Sequence, residues 1–479
     1  MAIKSTLRKY APILIASLFT LFIPAVLYSL RQKQTLSPQQ TIRQRAYSYP
    51  SMVRYSYHWP NTKKEIKERV DKEELKRIDR AYCGRDRCKF ILPIVITEQE
   101  SKAQMHFRQL AFLAGKIGRT IVLPNVYNSH LGACLPYPFD FYYDQEAWAK
   151  ENERFFNYIT MDDFKAWISE RQAVGVDPTA QEIFVQGTQK SKLLAKFKNC
   201  FRSSFDFSDR PIANYQLLDI SHPTQKDGNI TQTMMSLLSD EAREHEYLGN
   251  SDKPVDVINL FYDRRFKFIE NPEAQKPVPY SPVLVKMADD ISSQLRPYMA
   301  IHWRMERLEP VSNLLPCAKD LIEKIHEIDP SVHKHPNVFL LTDYPHLLNT
   351  TGARPESSSF TRNQLKPEHH EAIRHLYQHL NITLTSTNNL PIPYDELPKQ
   401  NWNILTISTG KYKDRSVLGI IDKLVAIKAQ WFFAGKPGVC AKTSSFTGRI
   451  SLSRLNAFRH GDKNIVVPLQ TFNLPQGNL

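Results

Sequence analysis

Residues Tyr298 to Arg307 read YMAIHWRMER, a short apolar run that closes on His302, Arg304 and Glu306 at alternate positions. Side chains two apart on a strand share a face, so these three ionisable groups point one way where the strand leaves its sheet. Open α/β folds bind phosphate-bearing ligands there, beyond the carboxyl ends of the strands. A guanidinium at such a place stays charged and grips two phosphate oxygens in a planar fork. The plain structural alternative for Arg304 is a salt bridge, with Glu306 as the obvious partner.

Outward from this stretch the chain alternates. SPVLVKMADDISSQL precedes it, with Ser281 and Pro282 suited to the cap and first position of a helix. After it come helix CAKDLIEKIHEI, strand NVFLLT, a helix at about Pro367 to Leu380, strand NITLT, helix SVLGIIDKLVAIKAQ, strand WFFAG and helix SFTGRISLSRL. Strands alternating with helices predict a parallel sheet. Earlier, CKFILPIVIT at Cys88 to Thr97, the helical EQESKAQMHFRQLAFLAGKIG and RTIVLPN predict a βαβ unit, with a capping box at Ser101 and Gln104 and a stop at Gly118. Its first turn carries no GxGxxG, so a dinucleotide-binding dehydrogenase is not indicated. Residues 126–255 are rich in aromatic side chains, with a helical stretch near Met161 to Glu170, and read as the rest of this domain with insertions that shape an acceptor groove. VDVINLF, Val255 to Phe261, reads as another buried strand. Pro272, Pro277, Pro279 and Pro282 mark the boundary. The fold class predicted is α/β, two doubly wound domains spanning 81–270 and 271–479.

Composition is that of a globular protein, 42% hydrophobic and 23% charged over 479 residues. The net charge of +14 is concentrated at the front: residues 1–80 hold 16 Lys or Arg against 6 Asp or Glu, and the rest hold 47 against 43. The body has no basic stripe and no zinc-finger spacing, so no nucleic-acid partner is expected. Tyr10 to Leu30 is an uncharged, mostly apolar run flanked by Lys4, Arg8 and Lys9 before and by Arg31 and Lys33 after. It is long enough to cross a bilayer and reads as an uncleaved signal anchor, leaving residues 1–9 cytoplasmic. Residues 31–80 read as a stem, ending in TKKEIKERVDKEELKRIDR, where pairs such as Glu65 with Arg69 favour a solvated helix. Sequons at Asn229, Asn349 and Asn381, and an even six cysteines, place the body in the secretory lumen. Of the fifteen pairings six cysteines allow, proximity favours only Cys83 with Cys88.

Four further groups of residues bear on chemistry. TSSFTGRI, Thr443 to Ile450, puts Ser444, Ser445 and Thr447 at a helix start, where hydroxyls and backbone amides bind anions; N-capping explains the serines equally well. Asp343 follows strand NVFLLT and either accepts from a ribose or base or caps the next turn. Glu98 and Glu100, at the first strand-to-helix turn, are candidate general bases toward an acceptor hydroxyl, or charges complementing a helix dipole. In HLYQH, His375 and His379 stand four apart, but Leu376 occupies the place of the glutamate in the helical zinc motif, and with Ile373, Leu376 and Leu380 buried both histidines face solvent. No metal is expected.

HWRMER resembles the HxRxE motif of GDP-fucose protein O-fucosyltransferase-like proteins of plants and fungi. FFAGKPGVCAKTSSFTGRI is similar to that family's carboxyl-terminal FxG, C and SSFT signature, NVFLLTDYP to its strand ending in TD, and RTIVLPN to its RTLVLP segment. The motifs fall in the family's order across most of residues 88–457. The resemblance implies a GT-B architecture, two Rossmann-like domains facing a cleft, and inverting transfer of fucose from GDP-fucose, as donor substrate, without cofactor or metal. It implies that Arg304 binds the diphosphate and assists its departure, that His302 positions the nucleotide, that Asp343 contacts it, and that Ser444, Ser445, Phe446 and Thr447 line its pocket. Glu306 belongs to the motif and joins the donor-binding set. The chain departs from the family at EQESKAQ, where a Gly-rich turn with Asn and Gln is usual, at Leu308 in place of Asp, and in a longer loop between Gly435 and Ser444. The function expected is a fucosyltransferase of the Golgi or endoplasmic reticulum membrane, single-pass type II with a lumenal body, acting on a protein or glycan hydroxyl. The alternatives are a GT-B transferase with another donor or glycan acceptor, and a membrane-anchored non-catalytic glycan- or protein-binding pseudoenzyme.

Overall fold

A computed structural model describes residues 72–186, 196–205, 218–219, 232, 234–235, 238, 255–263, 269, 271–328, 337–344, 360, 362–387, 402–408, 414 and 416–475. The expected anchor, most of the stem and the sequons at Asn229 and Asn349 lie outside these residues. Among the described residues no helix is long and apolar enough to cross a membrane. Two units are distinguished, residues 1–88 with 166–176, and residues 89–165 with 177–479.

In the first unit, the charged stretch forms a helix over Lys72–Cys83, with Glu73 and Glu74 in the first turn and Arg80 in the last, as the helix dipole favours. Its inner face buries Ile78 and Asp79. The Asp79 carboxylate accepts from Trp167 Nε1 at 2.7 Å and, with both oxygens, from Arg171 Nη1 at 2.9 Å. Cys83 and Cys88 form the expected disulfide.

The second unit contains both sheets. The first is built of β1 (Phe90–Ile96), β2 (Thr120–Val122), β3 (Val126–Tyr127), β4 (His130–Leu131), β5 (Tyr158–Ile159), β6 (Ala180–Gln186), β7 (Leu218–Asp219) and β8 (Val257–Asp263). β1 runs parallel to β2 and β8, and β8 to β6; β4 pairs antiparallel with both β3 and the end of β1. Every residue of β1 and β8 is buried, as in strands covered on both faces. The second sheet takes β9 (Met299–Trp303), β10 (Asn337–Thr342), β11 (Asn381–Thr387), β12 (Trp402–Ile407), β13 (Trp431–Gly435) and β14 (Gln470–Phe472), all parallel, in the order β12-β11-β10-β9-β13-β14. The short strands β3, β4, β5, β7 and β14, and the longer β6 and β12, were not anticipated from the sequence. The strand order reverses between β9 and β13, and at such a switch point the connections diverge and leave a crevice.

Strand parity distributes the core. Met299, Ile301 and Trp303 pack with helices Leu314–Ile328 and Pro367–His379. Tyr298 and Ala300 pack on the other face with helices Pro282–Leu295 and Val417–Lys428, in a cluster continuous with the core of the first sheet. His302 shares the parity of Ala300 and faces that second layer.

Helix Glu100–Lys116 begins differently from expectation. Gln99 is its N-cap, without a side-chain cap bond, and the Gln104 amide donates to Glu100 at 2.7 Å instead of closing a box with Ser101. Glu100 is drawn inward. Its carboxylate also accepts from Tyr280 at 2.8 Å, Tyr143 at 3.2 Å and Ser101 at 3.2 Å, and it pairs with Lys423 of helix Val417–Lys428. Lys423 Nζ further donates to Tyr280 at 2.7 Å and Ser101 at 2.8 Å. A second polar clasp joins the same layers: Asp414 and Ser416 bond the Tyr142 hydroxyl and accept from the backbone amides of Asn128 and Ser129 at 3.1 and 2.9 Å. Both turn residues have φ near +50° to +63°, a conformation these contacts hold.

The remaining disulfides are Cys134–Cys200 and Cys317–Cys440. At the third sequon, Asn381 is half-buried and its Nδ2 donates to Asn337 Oδ1 at 3.2 Å, while Thr383 is buried. Lys423→Met strands the Glu100 carboxylate in the core and is expected to cost about 3–5 kcal/mol; pairing it with Glu100→Gln should recover much of that. Guanidinium denaturation midpoints of the two variants check this.

Candidate functional site

β9 ends where the sheet order reverses, and two strand ends deliver the site. β13 pairs with β9 in the register Phe433↔Ile301 and Ala434↔His302, so the segments that follow each strand emerge together. Trp303 Nε1 donates to Cys440 O at 2.7 Å, and Lys442 N to Arg304 O at 3.0 Å, continuing the contact past the sheet. A Cβ on Gly435 would stand 2.7 Å from that of Ala441, so the loop after β13 folds back only over a residue with no side chain. The Cys317–Cys440 disulfide ties the same loop to helix Leu314–Ile328.

Arg304 is 28% exposed at its side chain, enough to meet a ligand. Its Nη1 donates to Thr443 O at 3.2 Å and its Nη2 to the carboxylate of Glu306, which is 2% exposed. Glu306 also receives Lys442 Nζ at 3.1 Å. The salt bridge envisaged as the structural alternative for Arg304 is therefore present.

His302 is buried and its Nδ1 lies 2.7 Å from Thr447 Oγ1, a contact in which one proton is shared. Phe446 lies tilted against the imidazole, ring centroids 5.1 Å apart. Burial, reinforced by the Arg304 charge, pushes the His302 pKa down to about 3, so the ring is neutral. Ser444 is the N-cap of helix Ser445–Arg459 and accepts from Thr447 N at 3.4 Å; Ser445 is exposed on the first turn.

Asp343 stands at the end of β10, and both its oxygens are engaged by backbone. It accepts from Met305 N at 2.8 Å and Glu306 N at 3.0 Å, fixing the turn that carries Arg304. Burial raises its pKa to about 6 against the lowering effect of those two bonds. Asp343 thus holds the turn that follows β9, not the turn after its own strand that the sequence suggested.

The two carboxylates considered as bases differ. Glu98 keeps 16% side-chain exposure beside Lys102 at 3.7 Å. Glu100 is 6% exposed and surrounded by five donors; burial pushes its carboxyl up, but the Lys423 charge and the hydrogen bonds outweigh this and hold it below the ordinary value. Lys423 Nζ also lies 5.4 Å from the Phe446 ring centroid, linking this cluster to the His302 pocket. Lys442, Lys423, Tyr280 and Tyr143 were missed in the sequence reading. The charged pair Asp422–Lys423 in the middle of VLGIIDKLVAIK, flanked on both sides by apolar residues, was the available signal for Lys423. His375 is half-buried and His379 exposed, and both line an open groove with Lys319, Glu323 and His326 of helix Leu314–Ile328, while Ile373, Leu376 and Leu380 are buried. Among the described residues no group of three or more His, Cys, Asp or Glu is placed to hold a metal.

No family model matches the chain, and no curated protein matches it. Among solved structures, the chain is similar to POFUT1 in complex with GDP, at 15% identity over 80% of this chain and 98% of that one, with a TM-score of 0.43. It is similar to POFUT1 in complex with GDP-fucose at 13% identity, over 81% and 98%, with a TM-score of 0.41. Likeness of this degree carries no weight for function, and the residues of the site must do so.

Two outcomes are expected of this geometry. Asp343→Ala removes the acceptor of two amides and should cost about 2 kcal/mol or more, measured by chemical denaturation. His302 should keep the NMR shifts of a neutral ring from pH 8 to pH 5. Because the unfolded chain takes up this proton near pH 6.5 and the folded chain only near pH 3, His302 removes stability as pH falls through that window. His302→Gln should flatten that part of the stability curve.

Proposed function

We propose that this chain is an inverting glycosyltransferase that moves fucose from GDP-fucose to a hydroxyl of a protein or glycan acceptor. The observation that carries the reading is Arg304 at the carboxyl end of β9, at the switch point of a parallel sheet, beside the helix start formed by Ser444 to Thr447. Helix N-termini and guanidinium groups both favour phosphate.

In this reading the acceptor oxygen bonds to the anomeric carbon as the bond from that carbon to the β-phosphate oxygen breaks, and GDP leaves with the electron pair. Charge grows on the departing diphosphate, where Arg304 and the amides at the start of helix Ser445–Arg459 stabilise it. Neutral His302, held by Thr447 and Phe446, positions the nucleotide without adding charge. The acceptor proton passes to a base, for which Glu98 has the exposure and Glu100 does not. Asp343 fixes the turn on which Arg304 sits. The disulfides and the apolar run at 10–30 support a lumenal body behind an N-terminal anchor in the Golgi or endoplasmic reticulum.

The enclosed Glu100 network also favours a second reading, a membrane-anchored protein that binds a glycan or a protein without turnover. A panel of sugar nucleotides, scored for hydrolysis and for transfer by the full-length chain, separates the two. Arg304→Lys should lower fucose transfer by about two orders of magnitude, since a point charge replaces the bidentate fork. Undiminished turnover in that variant overturns the assignment.

A further inference from the structure

Arg304 and Glu306 form a pair whose formal charges cancel. A neutral pair gives little attraction to a multiply charged anion, however well its fork is shaped. The loop after β13 supplies the missing charge. Lys442 places its Nζ 3.1 Å from the same Glu306 oxygen that Arg304 engages, and its backbone N donates to Arg304 O at 3.0 Å. Glu306 is thus a buried anion engaged by two cations, with the Asp343 carboxylate behind the same turn, so Lys442 is the cation that offsets Glu306 when Arg304 turns to a ligand. Lys442 has 37% of its side chain exposed against 2% for Glu306, so the ammonium is within reach of solvent while its counter-ion is not. It stands two residues before Ser444, the N-cap of helix Ser445–Arg459.

We propose that Lys442 is a second cation of the diphosphate site, held in place by Glu306 and acting beside Arg304. The inference rests on the proposed GDP-sugar reading and deepens it. Arg304 recognises by its planar fork, whereas Lys442, a flexible ammonium with three donors, swings from Glu306 to the phosphate as ligand enters. Glu306 holds the two cations close together against their mutual repulsion while the site is empty. Discrimination between a nucleoside diphosphate and its monophosphate or free nucleoside then falls to Lys442 as well as to Arg304.

Calorimetry on the full-length protein with GDP, GMP and guanosine tests this. Lys442→Met should weaken GDP about tenfold, the loss of one charge-assisted contact, and leave guanosine binding unchanged. It should also make GDP binding less dependent on salt. Lys442→Arg should restore GDP affinity to within about threefold of wild type, because it retains the charge. GDP binding by Lys442→Met equal to wild type overturns the assignment, as does an equal loss of GDP and guanosine that Lys442→Arg fails to rescue, which marks a purely structural role. Absence of GDP binding by the wild-type protein overturns the underlying reading, and the Lys442 assignment falls with it.

Discussion

The parallel pairing of β9 with β13 is the contact on which the site depends. Two segments about 130 residues apart meet in the register Ala434↔His302, and parallel strands release their chains at the same edge of a sheet. The HWRME turn and the TSSFT helix start are therefore neighbours because of a backbone ladder, before any side chain contributes. The Trp303–Cys440 and Lys442–Arg304 bonds prolong that ladder into the loops, where hydrogen bonds of the sheet no longer constrain the chain. Had β13 joined the far side of β12, the same residues would lie at the same edge but four strand spacings apart, roughly 19 Å.

Three carboxylates then organise the second unit around that edge. Asp343 accepts two backbone amides, Glu306 lies between Arg304 and Lys442, and Glu100 collects Lys423 with four neutral donors. Ions removed from water are costly unless their partners are well placed, so such clusters contribute definition of geometry more than net stability. Phe446 connects the Glu100 cluster to the His302 pocket, touching the His302 ring on one contact and lying near the Lys423 ammonium on another. The helix that follows β1 and the pocket that follows β9 are in this way parts of one polar and aromatic arrangement.

Most regular elements were legible in the sequence because burial on both faces leaves long apolar runs, as in FILPIVI, NVFLLT and WFFAG. The strands that escaped notice lack that signal: AQEIFVQ mixes polar and apolar residues, WNILTI follows a polar, proline-containing stretch, and QTF is only three residues long. Among site residues, spacing alone put His302 and Arg304 at a strand end, and TSSFT at a helix start. It could not separate ligand contact from self-support at Asp343, whose two roles need the same carboxylate at the same place. Nor could it separate Glu98 from Glu100, two residues apart, one of which kept contact with solvent while the other turned into the core.

Local sequence by itself determined where the long apolar strands and most helices run, that the body is α/β with parallel sheets, and which short motifs end strands or begin helices, since these follow from apolar period, capping chemistry and chain length. Tertiary structure alone decided which charges meet. Lys423 reaches Glu100 across more than 300 residues of chain, and Lys442 reaches Glu306 across more than 130. No periodicity encodes such pairs, because they arise only when strand order sets two distant helix and loop ends side by side in an interior of low dielectric, where an ion must find its partner.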